Sequence, residues 1–390
     1  MSSEMKNRLV KSYYAGLTGL MLFEIMNVYF IMPMPGSQEI QSLNLAYFLY
    51  SYRWIFRIIF ILPACAGLYN AFSGKKLFLP ILFLLAAGLI TWVFNFRMSA
   101  DSMFRQPITL VFKNRKENTV NENSLAICIS FNGQSKAYPI RFIQYHHQVR
   151  DAVGGRPVMV TYCNVCRTGR VYLPVVNGKD ERFRLVGMDH FNAMFEDKST
   201  RSWWRQSTGE AVAGKLKGQM LPEAESMQMT LKNLFDLDSN ALVMQPDGAF
   251  VESYDSLGKF ETGRSKSKLT RTDTISWKSK SWVVGVSNGK DSKAYDWNQL
   301  KKESVINDKL GELPVVVLIS ADRQNFGVFR RPSESTIFSL RNDTLFGNSE
   351  FYDLNGNCLS RPGLKLERIR SYQEFWHSWK YFHPDSQQYN

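Results

Sequence analysis

The stretch VTYCNVCRTG, Val160 to Gly169, sets Cys163 and Cys166 three positions apart. Two thiols at that spacing can close a disulfide, exchange disulfides with another thiol, or offer two sulfurs to one metal ion at about 2.3 Å. In thioredoxin-like proteins such a pair opens a helix whose positive end favours the thiolate. Here RTGRVYLPVV, Arg167 to Val176, continues as a strand, so the pair is expected on a turn between strands, a thiolate knuckle of the kind metal sites use. A closed zinc site needs four ligands, whereas copper(I) accepts two or three soft ones. The candidate partners are His146, which with Cys163 and Cys166 makes the candidate catalytic set, and His190 in GMDHF as a further metal ligand. Copper or zinc is the metal such a set would take. A structural disulfide, or two inert thiols, stays open beside the metal and redox readings. Cys65, Cys128 and Cys358 are expected to act as small apolar residues.

A second cluster is Trp203, Trp204, Arg205 and Gln206. Asp197, Trp204 and Gln206 are the candidate lining of a ligand groove; the alternative is one tryptophan ring in the core and the other on the surface. No Gly-x-Ser-x-Gly elbow, phosphate-binding glycine loop or His-Glu-x-x-His helix occurs, which disfavours hydrolase, nucleotide-binding and zincin chemistry.

The elements that must hold these residues recur. NGQSKAYPI, Asn132 to Ile140, and RDAVGGRPVMVTYC, Arg150 to Cys163, resemble NGKDSKAYDW, Asn288 to Trp297, and NDKLGELPVVVLIS, Asn307 to Ser320. A shift of 157 positions overlays Lys136 on Lys293, Tyr138 on Tyr295, Asp151 on Asp308, Gly154 on Gly311 and Pro157 on Pro314. The Asn-Gly pairs and the short β-branched runs read as hairpins and strands, with helices expected over 230–237 and 371–382. The expected fold class is α+β, with a β-rich duplicated domain: residues 101–250 the first copy, residues 251–390 a second, degenerate one. Ser320, Arg323 and Glu303 overlay Cys163, Cys166 and His146, so only the first copy carries the candidate site.

Residues 1–100 contain three apolar runs, about 15–33, 47–70 and 77–94, read as three transmembrane helices of a membrane anchor. The lipid bilayer is thus the expected partner. Lys6, Arg8, Lys11, Lys75 and Lys76 flank these runs so as to put the amino terminus inside and the soluble part outside the inner or plasma membrane. Arg97, Arg105, Lys113, Arg115 and Lys116 weigh the other way. Glu24 and Arg57 fall at similar depth and are expected to pair, because an unpaired charge in hydrocarbon is costly. The net charge of +13 divides into +5 before residue 101 (8 Lys+Arg, 3 Asp+Glu) and +8 after it (40 and 32). No long basic block with interleaved aromatics occurs, so no nucleic-acid partner is expected. The segment 261–281 is read as an exposed basic connection.

The stretch AYPIRFIQYHHQVRDAVGGRPVMVTYCNVCRTGRVY, with FEDKSTRSWWRQSTGEAVAG after it, resembles the bacterial and archaeal domain-of-unknown-function family 3179. Asp151, Gly154, Gly155, Pro157, Cys163 and Cys166 match the family pattern, as do Asp197, Thr200, Ser202, Trp204, Gln206 and Gly209. His146 takes the place of the family histidine, while His147 replaces its glutamate, and Asn164, Val165 and Arg167 replace Pro, Leu and Gly in the cysteine turn. The resemblance implies a fold and an envelope location, and no reaction. The functional expectation is therefore a membrane-anchored extracytoplasmic protein with a Cys/His site for metal binding or thiol redox chemistry. The alternative is a non-catalytic binding or scaffold module with a structural disulfide.

Overall fold

The structure, a computed structural model, describes residues 2–347 and 349–389. It is α+β and divides into two compact units.

The first unit joins Met1–Arg105 to Arg182–Arg205 and Ala211–Gln219. Its helices are α1 (Ser3–Tyr29), α2 (Leu43–Ser51), α3 (Arg53–Phe72) and α4 (Phe78–Trp92), the last extended by a π-helical turn over Val93–Arg97. Two stretches of 20 residues, Arg53–Phe72 and Phe78–Arg97, are long and apolar enough to cross a membrane. That corrects the expectation of three. The 27-residue α1 carries Lys6, Arg8, Lys11, Glu24 and Asn27, and its buried face is directed at its neighbours. α1 and α3 meet closely because glycines line the seam: a Cβ on Gly16 would stand 2.6 Å from the Phe60 carbonyl oxygen, and one on Gly67 2.1 Å from that of Leu9. Glu24 and Arg57 pair as expected, with Nε–Oε1 at 2.7 Å and Nη2–Oε2 at 3.1 Å. Asn95 on the π-turn joins them, accepting from Arg57 at 2.6 Å and donating to Glu24 at 2.8 Å.

Four antiparallel strands complete this unit, in the order Ala211–Ala213, Trp203–Arg205, Asn192–Asp197, Phe183–Asp189. They group with the helices although the sequence reading assigned them to the first repeat. One cause is visible at Met188, whose N–H donates to the Ile31 carbonyl at 2.7 Å; Gly187 beside it has no room for a Cβ against Ile31.

The second unit comprises Gln106–Glu181, Gln206–Glu210 and Met220–Asn390. In its first half, the hairpin Leu125–Phe131/Gln134–Pro139 leads into the helix Ile140–His146 and the meander Gln148–Val153, Arg156–Cys163, Thr168–Tyr172. Met227–Thr230 then pairs antiparallel with the first hairpin strand, and Leu242–Met244 runs parallel to the second. In the second half, Trp282–Ser287/Ser292–Asp296 leads into Trp297–Glu303 and the meander Val305–Leu310, Leu313–Ile319, Phe326–Arg330. Ser371–Phe375 pairs antiparallel with the first hairpin strand and Gln387–Gln388 parallel to the second. The side chains follow the same plan: Lys136 and Tyr138 hold Asp151 at 2.8 and 2.7 Å, and Lys293 and Tyr295 hold Asp308 at 2.6 and 3.0 Å. Each half has its own apolar core, one around Ile127, Tyr138, Val160 and Val171, the other around Val284, Tyr295, Val317 and Val328. The expected helix over 371–382 is a strand as far as Phe375 and a helix only over Trp376–Phe382.

Candidate functional site

Cys163 ends a strand whose last pair is Cys163 opposite Thr168, and the chain turns back through Asn164–Arg167. The pair thus sits between two strands, as the sequence indicated. Arg167 adopts a left-handed φ of 56°, a conformation that costs an L-residue energy unless its surroundings impose it. They do so through the guanidinium, which is buried and donates to Gln373 Oε1 at 2.9 Å and to the carbonyls of Phe260 and Glu261 at 3.3 and 3.0 Å. It also lies 3.5 Å from the centroid of the Trp282 ring. The arginine that replaces the family glycine therefore clamps the turn from beneath. Cys166 accepts at its carbonyl from the Phe375 N–H at 2.9 Å and from the Thr168 hydroxyl at 3.3 Å.

Both sulfurs are fully buried, and no disulfide joins them. The histidine at the pair is His377, from the first turn of the helix Trp376–Phe382: its Nε2 lies 4.0 Å from Cys166 Sγ. The other ring nitrogen, Nδ1, is 3.0 Å from the Ser279 carbonyl. A carbonyl only accepts, so Nδ1 carries the proton and Nε2 presents a lone pair to the thiol. His377 is half-buried, whereas the thiol is not exposed at all. Lys280 closes the cluster: its Nζ donates to the Val165 carbonyl at 2.5 Å and stands 4.8 Å from the centroid of the Phe375 ring. Burial, then the adjacent Cys163 thiol, pushes Cys166 well above the usual thiol range, and His377 pulls it partly back. Burial lowers Lys280 to about 8, with Cys166 and Cys163 acting in the opposite sense. At neutral pH Cys166 is a thiol next to a proton acceptor and a cation that a thiolate would stabilise.

The expected ligand set is not assembled. His146 Nε2 is engaged by the Tyr254 hydroxyl at 2.7 Å, and the ring packs on Phe250 and Tyr145. It is a buried residue of the helix Ile140–His146, which precedes the cysteine strands. His147 has a φ of 59°, donates from Nδ1 to the Tyr162 carbonyl at 3.0 Å, and is lowered to about 4 by burial. His190 belongs to the first unit, where its Nδ1 meets Asp189 at 2.6 Å. Among the described residues no three His, Cys, Asp or Glu side chains converge to hold a metal ion.

The proposed groove residues are likewise structural. Asp197 accepts from the Thr200 N–H at 2.5 Å and hydroxyl at 2.7 Å, the Ser202 N–H at 3.1 Å and the Trp204 indole at 2.9 Å. The Asp-x-x-Thr-x-Ser-x-Trp pattern is thus one carboxylate organising a turn and a ring. Trp204 is 1% exposed, and Gln206 is buried, donating to Thr161 Oγ1 and the Thr168 carbonyl at 3.0 Å each. All three side chains are buried.

His377, Lys280 and the clamping role of Arg167 lay outside the sequence reading. His377 is 211 positions from Cys166, and Lys280 lies in the segment read as a solvated connection. The visible signals were indirect: a histidine at the start of an aromatic-rich helix, and the departure of Arg167 from the family glycine.

No curated protein and no solved structure matches the chain. The family model for DUF3179, proteins of unknown function, matches residues 109–386, which span the cysteine turn, Lys280 and His377 alike. The chain therefore belongs to the DUF3179 family.

Proposed function

We propose that this protein is a membrane-anchored thiol-redox protein whose Cys163/Cys166 pair exchanges electrons with the thiols or disulfides of another molecule. The observation that carries this is the Cys166–His377 contact, with Nδ1 held by a backbone carbonyl and Nε2 turned to the sulfur. In the oxidising direction for this pair, Cys166 gives its proton to His377 Nε2 and attacks a disulfide RS–SR′. The new bond joins Cys166 to RS; R′S⁻ leaves and recovers the proton from His377. Cys163 then gives its proton to the same imidazole and attacks the Cys166 sulfur. The Cys163–Cys166 bond forms, and RS⁻ leaves and takes that proton from His377 as RSH. Two thiols have become one disulfide, and two electrons and two protons have gone to the partner. Lys280 lowers the cost of each thiolate.

Two further elements belong to this reading. The stretches Arg53–Phe72 and Phe78–Arg97 anchor the chain in the inner or plasma membrane, with the second unit on the extracytoplasmic side, where such exchange has oxidised partners. The second unit arose by duplication. The shared element order, the Lys/Tyr/Asp clusters at 136/138/151 and 293/295/308, and the 157-residue offset support this.

The test uses the full chain in detergent. Thiols are counted after equilibration in glutathione redox buffers, and exchange with a small aromatic disulfide is timed across pH. Wild type is expected to show a two-electron transition that is absent from Cys163→Ser and Cys166→Ser. His377→Gln is expected to slow exchange about 100-fold with unchanged thiol content. A pair that never oxidises, or that is oxidised in every buffer and inert to exchange, would sink the proposal in favour of inert thiols or a structural staple.

A further inference from the structure

The first unit contains an unassigned polar cavity of about 190 Å³, lined among others by Asn27, Tyr50, Arg53, Asn95, Asp101 and Arg184. It lies where the helix ends meet. Asn27 is near the end of α1, Arg53 begins α3, and Asn95 is on the π-turn that follows α4. π-turns are rare and recur at functional sites. Arg184 is already matched by Glu196 at 2.9 Å and Asp101 at 3.1 Å. Arg53 differs: it donates to the Tyr50 carbonyl at 2.7 Å and lies 4.2 Å from that ring's centroid, and among the described residues no carboxylate pairs with it. Asn27 is 5% exposed, and its Oδ1 has no hydrogen-bond partner, a costly state for a buried amide. The cavity thus offers one unmatched cation and one buried acceptor awaiting a donor.

Beside it runs an apolar groove of about 400 Å³ between α1, α3 and α4, lined by Leu17, Ile61, Leu68, Leu84, Trp92 and Phe96 among others. The two cavities share the chain segment 91–98: Thr91, Trp92 and Phe96 line the groove, and Phe94, Asn95 and Met98 line the polar end. An apolar groove and, along the same helices, a cation with an orphaned acceptor are together the negative image of an amphiphile. Its head must carry an anion for Arg53 and a hydrogen-bond donor, such as a hydroxyl, for Asn27 Oδ1.

We propose that this end of the helices binds one anionic phospholipid of the phosphatidylglycerol type, its phosphate on Arg53, a glycerol hydroxyl on Asn27 and an acyl chain in the groove. A zwitterionic choline head lacks the hydroxyl donor, and a quinone lacks the anion. The proposal rests on the reading that α3 and α4 lie in a bilayer and is independent of the thiol chemistry. Carbonate extraction of membranes tests the bilayer reading separately.

The full chain in detergent is titrated with dioleoyl-phosphatidylglycerol or dioleoyl-phosphatidylcholine while its melting temperature is followed. Phosphatidylglycerol is expected to raise it by about 3 °C more than phosphatidylcholine. Arg53→Gln should bind about tenfold more weakly and lose that preference. Lys75→Gln with Lys76→Gln, between α3 and α4 at their other ends, should keep it. Equal shifts with both lipids, a preference that survives in Arg53→Gln, or a shift reproduced by inorganic phosphate or by ubiquinone would overturn the proposal. Should Arg53→Gln not fold, Asn27→Leu decides: it removes the acceptor, and an unchanged preference there refutes the assignment.

Discussion

Acid should loosen the strand that carries Cys163, and His147 should be the reason. The imidazole is 1% exposed and donates to the Tyr162 carbonyl, while the Tyr162 N–H donates back to the His147 carbonyl at 3.0 Å. Burial holds its pKa at about 4, against an ordinary 6.5. The folded state therefore keeps His147 neutral where the unfolded chain takes up a proton. Stability from this residue is full above about pH 6.5 and is lost as the pH falls toward 4. Over the whole interval the loss is about 3 kcal/mol, and between about pH 7.5 and 4.5 roughly 2.5 kcal/mol. The measurement is urea unfolding of the full chain in detergent, followed by tryptophan fluorescence at a series of pH values. Other groups titrate over the same range, so the informative quantity is the difference from His147→Asn. Asparagine tolerates the left-handed backbone and can donate to the same carbonyl. Wild type should lose roughly 2.5 kcal/mol more than His147→Asn on acidification. Parallel pH profiles for the two proteins would refute the reasoning.

Three further substitutions probe the supports of the two units. Glu374→Gln removes the charge from a buried carboxylate that meets the Arg170 guanidinium and accepts from Ser378 at 3.0 Å; it should cost about 3 kcal/mol in thermal unfolding and speed alkylation of Cys166. Gly285→Ala would set a Cβ 2.1 Å from the Trp379 ring; overpacking should cost about 2 kcal/mol, read as a lower urea midpoint. Asp197→Ala deletes four accepted hydrogen bonds in the first unit and should cost about 3 kcal/mol, with new proteolytic cleavage between residues 198 and 202.

Local pattern made much of this architecture legible. The Asn-Gly hairpins, the β-branched runs and the Lys-Ala-Tyr segments each appear where their spacing put them, because hairpin register is a short-range property. Glu24 and Arg57 could be paired in advance because antiparallel helices bring equal depths together. The cysteine turn was placed correctly for a similar reason: Thr168–Tyr172 is too rich in strand signals to follow the thiols as a helix. What surrounds the thiols was not legible. His146 is near them in sequence, but its ring meets Tyr254, while His377 reaches Cys166 through tertiary packing across 211 positions. The number of spans was overcounted because Glu24 and Asn27, which lower the apolarity of α1, were read through as part of an apolar run. The Asp197 pattern looked like a ligand surface because a buried carboxylate with four donors and an exposed binding carboxylate are spelled alike.

The origin of His377 has a temporal side. During synthesis the two cysteines emerge 211 residues ahead of the imidazole that faces Cys166. Until the stretch around Phe375 and His377 has folded back, neither the imidazole Nε2 nor the Phe375 N–H on the Cys166 carbonyl is in place. A nascent chain that ends before this stretch would carry both thiols without the imidazole that faces Cys166. Reactivity at Cys166 would thus report that the segment bearing His377 has folded back onto the cysteine turn.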